Sequence, residues 1–282
     1  MSHPVPLGRA ASTALRSSRL LSLGGAILVS SNLHALEVDS ELLLLVDVSI
    51  PGLSNVQFSD LMDSYAAAFS SSQVLDSIQS GNTGRIAVSM MFYGNSNVQQ
   101  VGIPWMSIGS SSDADVFAGL VTNVNRPFSF GFSDSTAALA AATPTFGTET
   151  GGADNGFESS VQIIEVAASG IPFPFDATET AAASANALNS GVDLVNSTSL
   201  GFFGGISEGY YEQNVIGSTI EGVEPTSGTS ETGGVLASNI ADGITVTVQT
   251  GASMSVSAIP EPSSLVIALS SAGFFLLRRR RD

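Results

Sequence analysis

The run Glu41-Leu42-Leu43-Leu44-Leu45-Val46-Asp47-Val48 decides how this chain reads. Residues 42–46 are all aliphatic, with no polar residue alternating between them. That pattern suits a strand buried on both faces, as in a parallel sheet covered by helices. The flanking sequence agrees. Residues 56–69 place Phe58, Leu61, Met62, Tyr65 and Phe69 at helical spacing. Residues 86–93 form a second strand, and 98–106 pair beside it with a core near 99–105. A helix follows over 111–124, with Asp113 and Asp115 in its first turns, where negative charge complements the helix dipole. Another helix lies around 134–142, then a strand at 161–167, an Ala-rich helix at 177–189 and a strand at 191–196. This alternation predicts an α/β fold of Rossmann type, with a mostly parallel central sheet flanked by helices. Ligands bind such sheets at the C-terminal strand ends, where Asp47 sits.

Beyond residue 220 the composition shifts. Residues 221–258 are rich in Gly, Ser and Thr and read as an extension. A helix near 233–241, a strand at 244–249 and a linker over 250–258 are expected there.

Charge is segregated along the chain. All nine basic residues are Arg: Arg9, Arg16, Arg19, Arg85, Arg126 and Arg278 to Arg281. Of the 25 acidic residues, all but Asp282 lie between Glu37 and Glu261, so residues 36–262 carry 24 acidic minus 2 basic, a formal charge of −22. Phosphate contacts need Lys or Arg, so this balance opposes nucleic-acid binding and docking on anionic membranes. Both histidines, His3 and His34, precede residue 36, and the chain has no Cys. A Ser-His-Asp triad, a Cys nucleophile, a Lys Schiff base and His/Cys zinc sites are therefore excluded from the body. Carboxylate chemistry and oxygen-ligand metal sites stay open. No Asp-x-Asp/Asn-x-Asp/Asn-Gly spacing organises Asp113, Asp115, Asp154 or Glu158, which read as solvated surface charge.

The two ends read as targeting segments. Residues 1–35 have the form of a signal peptide: Arg9, Arg16 and Arg19, an apolar stretch over 20–30, and Ala35 for cleavage. At the other end, Pro260-Glu261-Pro262 precedes a 15-residue apolar stretch (263–277) and then Arg278, Arg279, Arg280 and Arg281. As a helix that stretch spans about 22 Å, against about 30 Å of bilayer core. The Arg cluster would leave the tail in the cytoplasm and the body outside. Residues 259–282 resemble the PEP-CTERM sorting signal. The resemblance implies processing by an exosortase-type membrane protease and delivery to the cell envelope, the surface or an extracellular matrix. Before processing, the C-terminal helix would hold the chain in the membrane.

Residues 36–220 resemble a family too. Leu43-Leu44-Leu45-Val46-Asp47-Val48-Ser49 looks like the first strand of a von Willebrand factor A-like (VWA-like) domain. Gly84-Arg85-Ile86-Ala87-Val88, Ile103-Pro104-Trp105, Arg126-Pro127-Phe128-Ser129, Val161-Gln162-Ile163-Ile164-Glu165-Val166 and Tyr210-Tyr211-Glu212-Gln213-Asn214-Val215-Ile216-Gly217 follow in the order of an uncharacterised VWA-like family of exported bacterial proteins. Such domains commonly hold Mg²⁺ at a metal-ion-dependent adhesion site. Its first loop carries Asp-x-Ser-x-Ser, and two further loops supply a Thr and an Asp. Asp47 and Ser49 match the first two ligands. The third falls on Pro51, the Thr position on Phe132 and the acidic position on Ser169, with Ser133 or Asp134 as shifted substitutes.

The resemblance thus implies a degenerate site, with Asp47 and Ser49 as its remaining metal ligands and at most weak Mg²⁺ or Ca²⁺ binding. The expected role is a non-catalytic binding or structural protein, with no catalytic residue and no cofactor, meeting an extracellular polysaccharide or a surface protein. Two alternatives stand beside it: a divalent-cation-dependent adhesin, and a carboxylate-based hydrolase of extracellular polymers.

Overall fold

A computed structural model describes residues 35–50, 52–169, 176–200, 204–230 and 234–257. The proposed signal segment up to His34, Pro51 and the sorting motif, including Pro260, Glu261, Pro262 and Arg278 to Arg281, lie outside the described residues. Strand β1 (Glu41–Asp47) is buried along its whole length. It is flanked by β2 (Ile86–Tyr93) and β4 (Gln162–Ala168), parallel to both. With β3 (Gln99–Ile108), β5 (Leu194–Leu200) and β6 (Ser227–Ser230) the sheet order is β3-β2-β1-β4-β5-β6. Only β3 runs antiparallel in that series. The link from β2 to β3 is a few residues long, which suffices for a hairpin but not for a parallel crossover. Gly217–Ser218 adds a short antiparallel pairing at the start of β5.

Side-chain alternation along the strands divides the core in two. Leu42, Leu44 and Val46 pack with α1 (Asn55–Phe69), α2 (Ser72–Gln79), α3 (Ser111–Asn123) and α7 (Gly234–Ser257). Leu43 and Leu45 face the opposite way, against α4 (Ser135–Ala142), α5 (Ala177–Asn189) and α6 (Gly204–Asn214). The helix starts are chemically marked. Ser54 and Ser110 close capping boxes with Gln57 and Asp113, while Asp134 and Asp176 cap α4 and α5. The result is the mixed α/β, VWA-like architecture expected from sequence, with helices on both faces of a mostly parallel sheet.

Two expectations about the C-terminal extension are corrected. Residues 244–249 are not a strand and 250–257 are not a linker; both lie within α7. The alternation of Ile244, Val246 and Val248 with Thr mimics a strand. However, Ile240, Ile244 and Val248 also fall at i, i+4 and i+8, and that stripe is buried in the core beside α1. Its burial outweighs the few tenths of a kcal/mol that each β-branched residue costs a helix. Helices α2 and α6 were not expected, and the strand expected at 191–196 starts at Leu194 and runs on to Leu200. Among the described residues no helix is long and apolar enough to cross a membrane; the apolar stretch 263–277 lies outside them.

Candidate functional site

The parallel strands deliver Asp47, Tyr93 and Ala168 to one edge of the sheet. Asp47 is fully buried there. Its Oδ1 accepts the Ser49 N–H at 2.8 Å, while Oδ2 accepts the Ser169 N–H at 3.1 Å and the Ser169 hydroxyl at 2.7 Å. The Ser49 hydroxyl is a further partner. Burial raises the carboxyl above the ordinary Asp range, and these hydrogen bonds oppose that shift, Ser169 most strongly. A carboxylate offers about four acceptor sites, and four donors from the protein meet this one.

The surrounding loops are fixed by the same logic. The Arg126 guanidinium donates to the carbonyls of Val48 (3.0 Å), Ser49 (3.3 Å) and Leu53 (2.8 Å) and to Asn55 Oδ1 (3.0 Å). It also lies 5.5 Å from the centre of the Phe58 ring. One side chain therefore clamps the whole loop between β1 and α1. Desolvation lowers the Arg126 pKa, and the nearby Asp47 charge opposes that shift. The loop also presses on Ser169, because a Cβ at Gly52 would overlap the Ser169 side chain. Behind Asp47, the Tyr93 and Tyr211 hydroxyls lie 3.3 Å apart, and Ser135 Oγ is 2.7 Å from the Tyr211 hydroxyl. Burial raises both tyrosines, and the Asp47 charge adds to it.

These residues do not fit a tight Mg²⁺ site. Mg²⁺ demands near-octahedral oxygen ligation, and here the single carboxylate is spent on protein donors. At the acidic position stands Ser169, which donates to Asp47 instead of supplying charge. Phe132, at the Thr position, has no side-chain oxygen to offer and is 54% exposed. Of the shifted substitutes, Asp134 caps α4 by accepting the Ala137 N–H at 2.9 Å. Ser133 Oγ is buried without a hydrogen-bond partner among the described residues, but one neutral hydroxyl does not replace the missing ligands. Pro51 lies outside the described residues. Elsewhere Asp113 belongs to the α3 capping box, and its carboxyl is lowered chiefly by Ser110. Asp154 accepts its own loop's Gly156 N–H at 2.7 Å, and Glu158 is raised by its acidic neighbour Glu149. Among the described residues no group of three or more His, Cys, Asp or Glu side chains is placed to hold a metal.

Sequence reasoning identified Asp47 and Ser49 but not the partners that complete the site. By sequence Ser169 stands at a lost ligand position, and nothing local marks it as the hydroxyl that fills Asp47. Arg126, Tyr93, Tyr211 and Ser135 carried no signal for their roles. The loop after Arg126 also displays Phe128 (79% exposed) and Phe130 (74% exposed) at this edge. Pairing of Ser129–Phe130 with Ser49–Ile50 holds it in place.

The fold and this strand-end site define a VWA-like α/β domain with an internally satisfied carboxylate at the end of its first core strand. The chain belongs to the family described as "protein of unknown function (DUF1194)", whose profile matches residues 37–231. Two solved structures are similar to it. Proximal thread matrix protein 1 (PTMP1) from the mussel byssus is 13% identical with a TM-score of 0.49, covering 76% of this chain and 47% of that one. A mutant of the PilB minor pilin from Streptococcus sanguinis is 10% identical with a TM-score of 0.50, covering 79% of this chain and 64% of that one. The chain thus spans less than two thirds of either. No match was found among curated protein sequences.

Proposed function

We propose that this chain is a non-catalytic binding or structural module of the cell exterior, built on a VWA-like domain whose metal position is closed by its own side chains. The observation that carries this reading is the saturation of Asp47 by Ser49 and Ser169. The absence of His, Cys and Lys from residues 36–262 supports the non-catalytic part. Export through the leader and processing at Pro260-Glu261-Pro262 by an exosortase-type protease complete the proposal, with an extracellular polysaccharide or surface protein as the partner. Intact-mass measurement on protein from the native host tests the sorting. The mature chain should lack residues 1–35 and end near Pro262; recovery with Arg281 attached would refute it.

One observation favours a second reading, a divalent-cation-dependent adhesin: the buried Ser133 hydroxyl at the same edge, which has no hydrogen-bond partner among the described residues. Calorimetric titration with Mg²⁺, Ca²⁺ and Mn²⁺ separates the two. The first reading expects only diffuse heats that vanish as NaCl screens the charge, the second a saturable isotherm.

A further inference from the structure

The sheet face beneath α7 buries one carboxylate among neutral neighbours. Glu165, in the middle of β4, is 5% exposed. Its Oε1 accepts the Thr198 hydroxyl from β5 and its Oε2 the Thr247 hydroxyl from α7, each at 3.3 Å. Asn196, its register partner on β5, donates its side-chain amide to Thr247 Oγ1 at 3.1 Å and accepts the Thr226 N–H at 2.8 Å. From α1 the titratable group facing it is Tyr65, whose buried hydroxyl has no hydrogen-bond partner among the described residues. Its register partner on β1 is Leu44. On α7 the one ionisable residue, Asp242, is exposed. Among the described residues no cation compensates Glu165: Arg126 is committed to the loop after β1, and Arg85 lies beside Asp113. Burial pushes the Glu165 carboxyl up to about 7, against the hydrogen bonds of Thr198, Asn196 and Thr247.

Elsewhere along the described part of α7 the interface is apolar or hydrogen-bonded. Ile240, Ile244, Val248 and Ala252 are buried. Gln249 Nε2 donates to Ser77 Oγ at 3.3 Å, and the Ser255 hydroxyl donates to Asp39 at 2.9 Å. At Thr247 the helix closes over a buried carboxylate whose side-chain partners are neutral hydroxyl and amide groups.

We propose that Glu165 is a latch that couples the seating of α7 to pH. Protonated, it is a neutral member of a hydroxyl and amide network, and the helix closes over it. Ionised, it leaves an uncompensated negative charge under the helix, and α7 loosens from the sheet as water reaches the carboxylate. The proposal rests on the packing of α7 alone and does not depend on the module's proposed function.

Hydrogen–deuterium exchange on the whole chain tests it, with protection at residues 239–252 compared between about pH 5.5 and about pH 8.5 after correction for intrinsic rates. If Glu165 titrates at its ordinary 4.5 with the helix open and near 7 with it closed, opening increases roughly 30-fold over that range, relative to β2. Glu165→Gln should abolish the increase. Thr247→Val, which removes a contact that favours the ionised form, should enlarge it. A change under about threefold in the wild type would overturn the latch, as would the same increase in Glu165→Gln. Should Glu165→Gln not fold, an unaltered pH profile in Thr247→Val would count against it equally.

Discussion

Replacing Arg126 probes the site's architecture without touching Asp47. Its guanidinium meets three loop carbonyls and Asn55, and Arg126→Ala deletes all four contacts. Hydrogen bonds from a charged donor are worth about 1.5–3 kcal/mol each, but these are coupled and the group is half-buried, so water restores part of the loss. Adding the packing on Phe58, the expected destabilisation is roughly 3–5 kcal/mol. Because the partners are chiefly carbonyl dipoles, the loss should change little between low and moderate NaCl, unlike that of a surface ion pair. Arg126→Lys keeps the charge but not the planar fork, and should recover less than half. Urea denaturation of the three proteins at two salt concentrations gives these values. A loss below about 1 kcal/mol for Arg126→Ala, or wild-type stability in Arg126→Lys, would refute the clamp.

Three further outcomes are expected. Glu41 is buried at the start of β1, and desolvation pushes its carboxyl up to about 7, against hydrogen bonds from Asn155, Ser159 and Gln162. Its folded pKa exceeds its unfolded value, so the stability it allows is present at low pH and is lost as pH rises from about 4.5 through about 7. Glu41→Gln should flatten that decline by about 2–3 kcal/mol in pH-dependent urea titrations, and an unchanged slope would exclude Glu41 as its source. Gly52→Ala should cost about 1–3 kcal/mol by driving a methyl group into Ser169, measurable as a lower urea midpoint; an unshifted midpoint would mean the loop yields freely. Phe128→Ser and Phe130→Ser should each leave folding stability within about 0.5 kcal/mol, since both rings are largely exposed, and a larger loss would show that they pack.

The architecture was legible because burial on both faces of β1 leaves an unmistakable aliphatic run, and because Phe58, Leu61, Tyr65 and Phe69 repeat at the helical period. The helix expected near 233–241 is the start of α7, but 244–249 read as a strand because a stripe of β-branched residues satisfies both periods; only the core it packs against chooses between them. Helix α2 buries just Val74, Ser77 and Ile78, too short a pattern to register. At the site, Asp47 was visible as the polar end of an apolar strand. Its partner Ser169 is 122 residues away in sequence, and Arg126 reaches Val48 across 78. Such pairings arise from sheet order, which brings β4 beside β1, and no local spacing encodes them. Glu165 could be seen to interrupt an apolar strand, but its neutral surroundings come from β5 and α7.

Asp47 is satisfied by groups of the protein itself. The most direct measurement is thermal unfolding of the wild type and Asp47→Ala in a few millimolar MgCl₂, with NaCl at matched ionic strength as the control. A metal held at 100 times its Kd would add about 2.7 kcal/mol through linkage, a shift of several degrees. The account predicts equal midpoints in the two salts for each protein, with both salts acting only by screening the −22 charge of residues 36–262. A Mg²⁺-specific rise in the wild type that disappears in Asp47→Ala would contradict it.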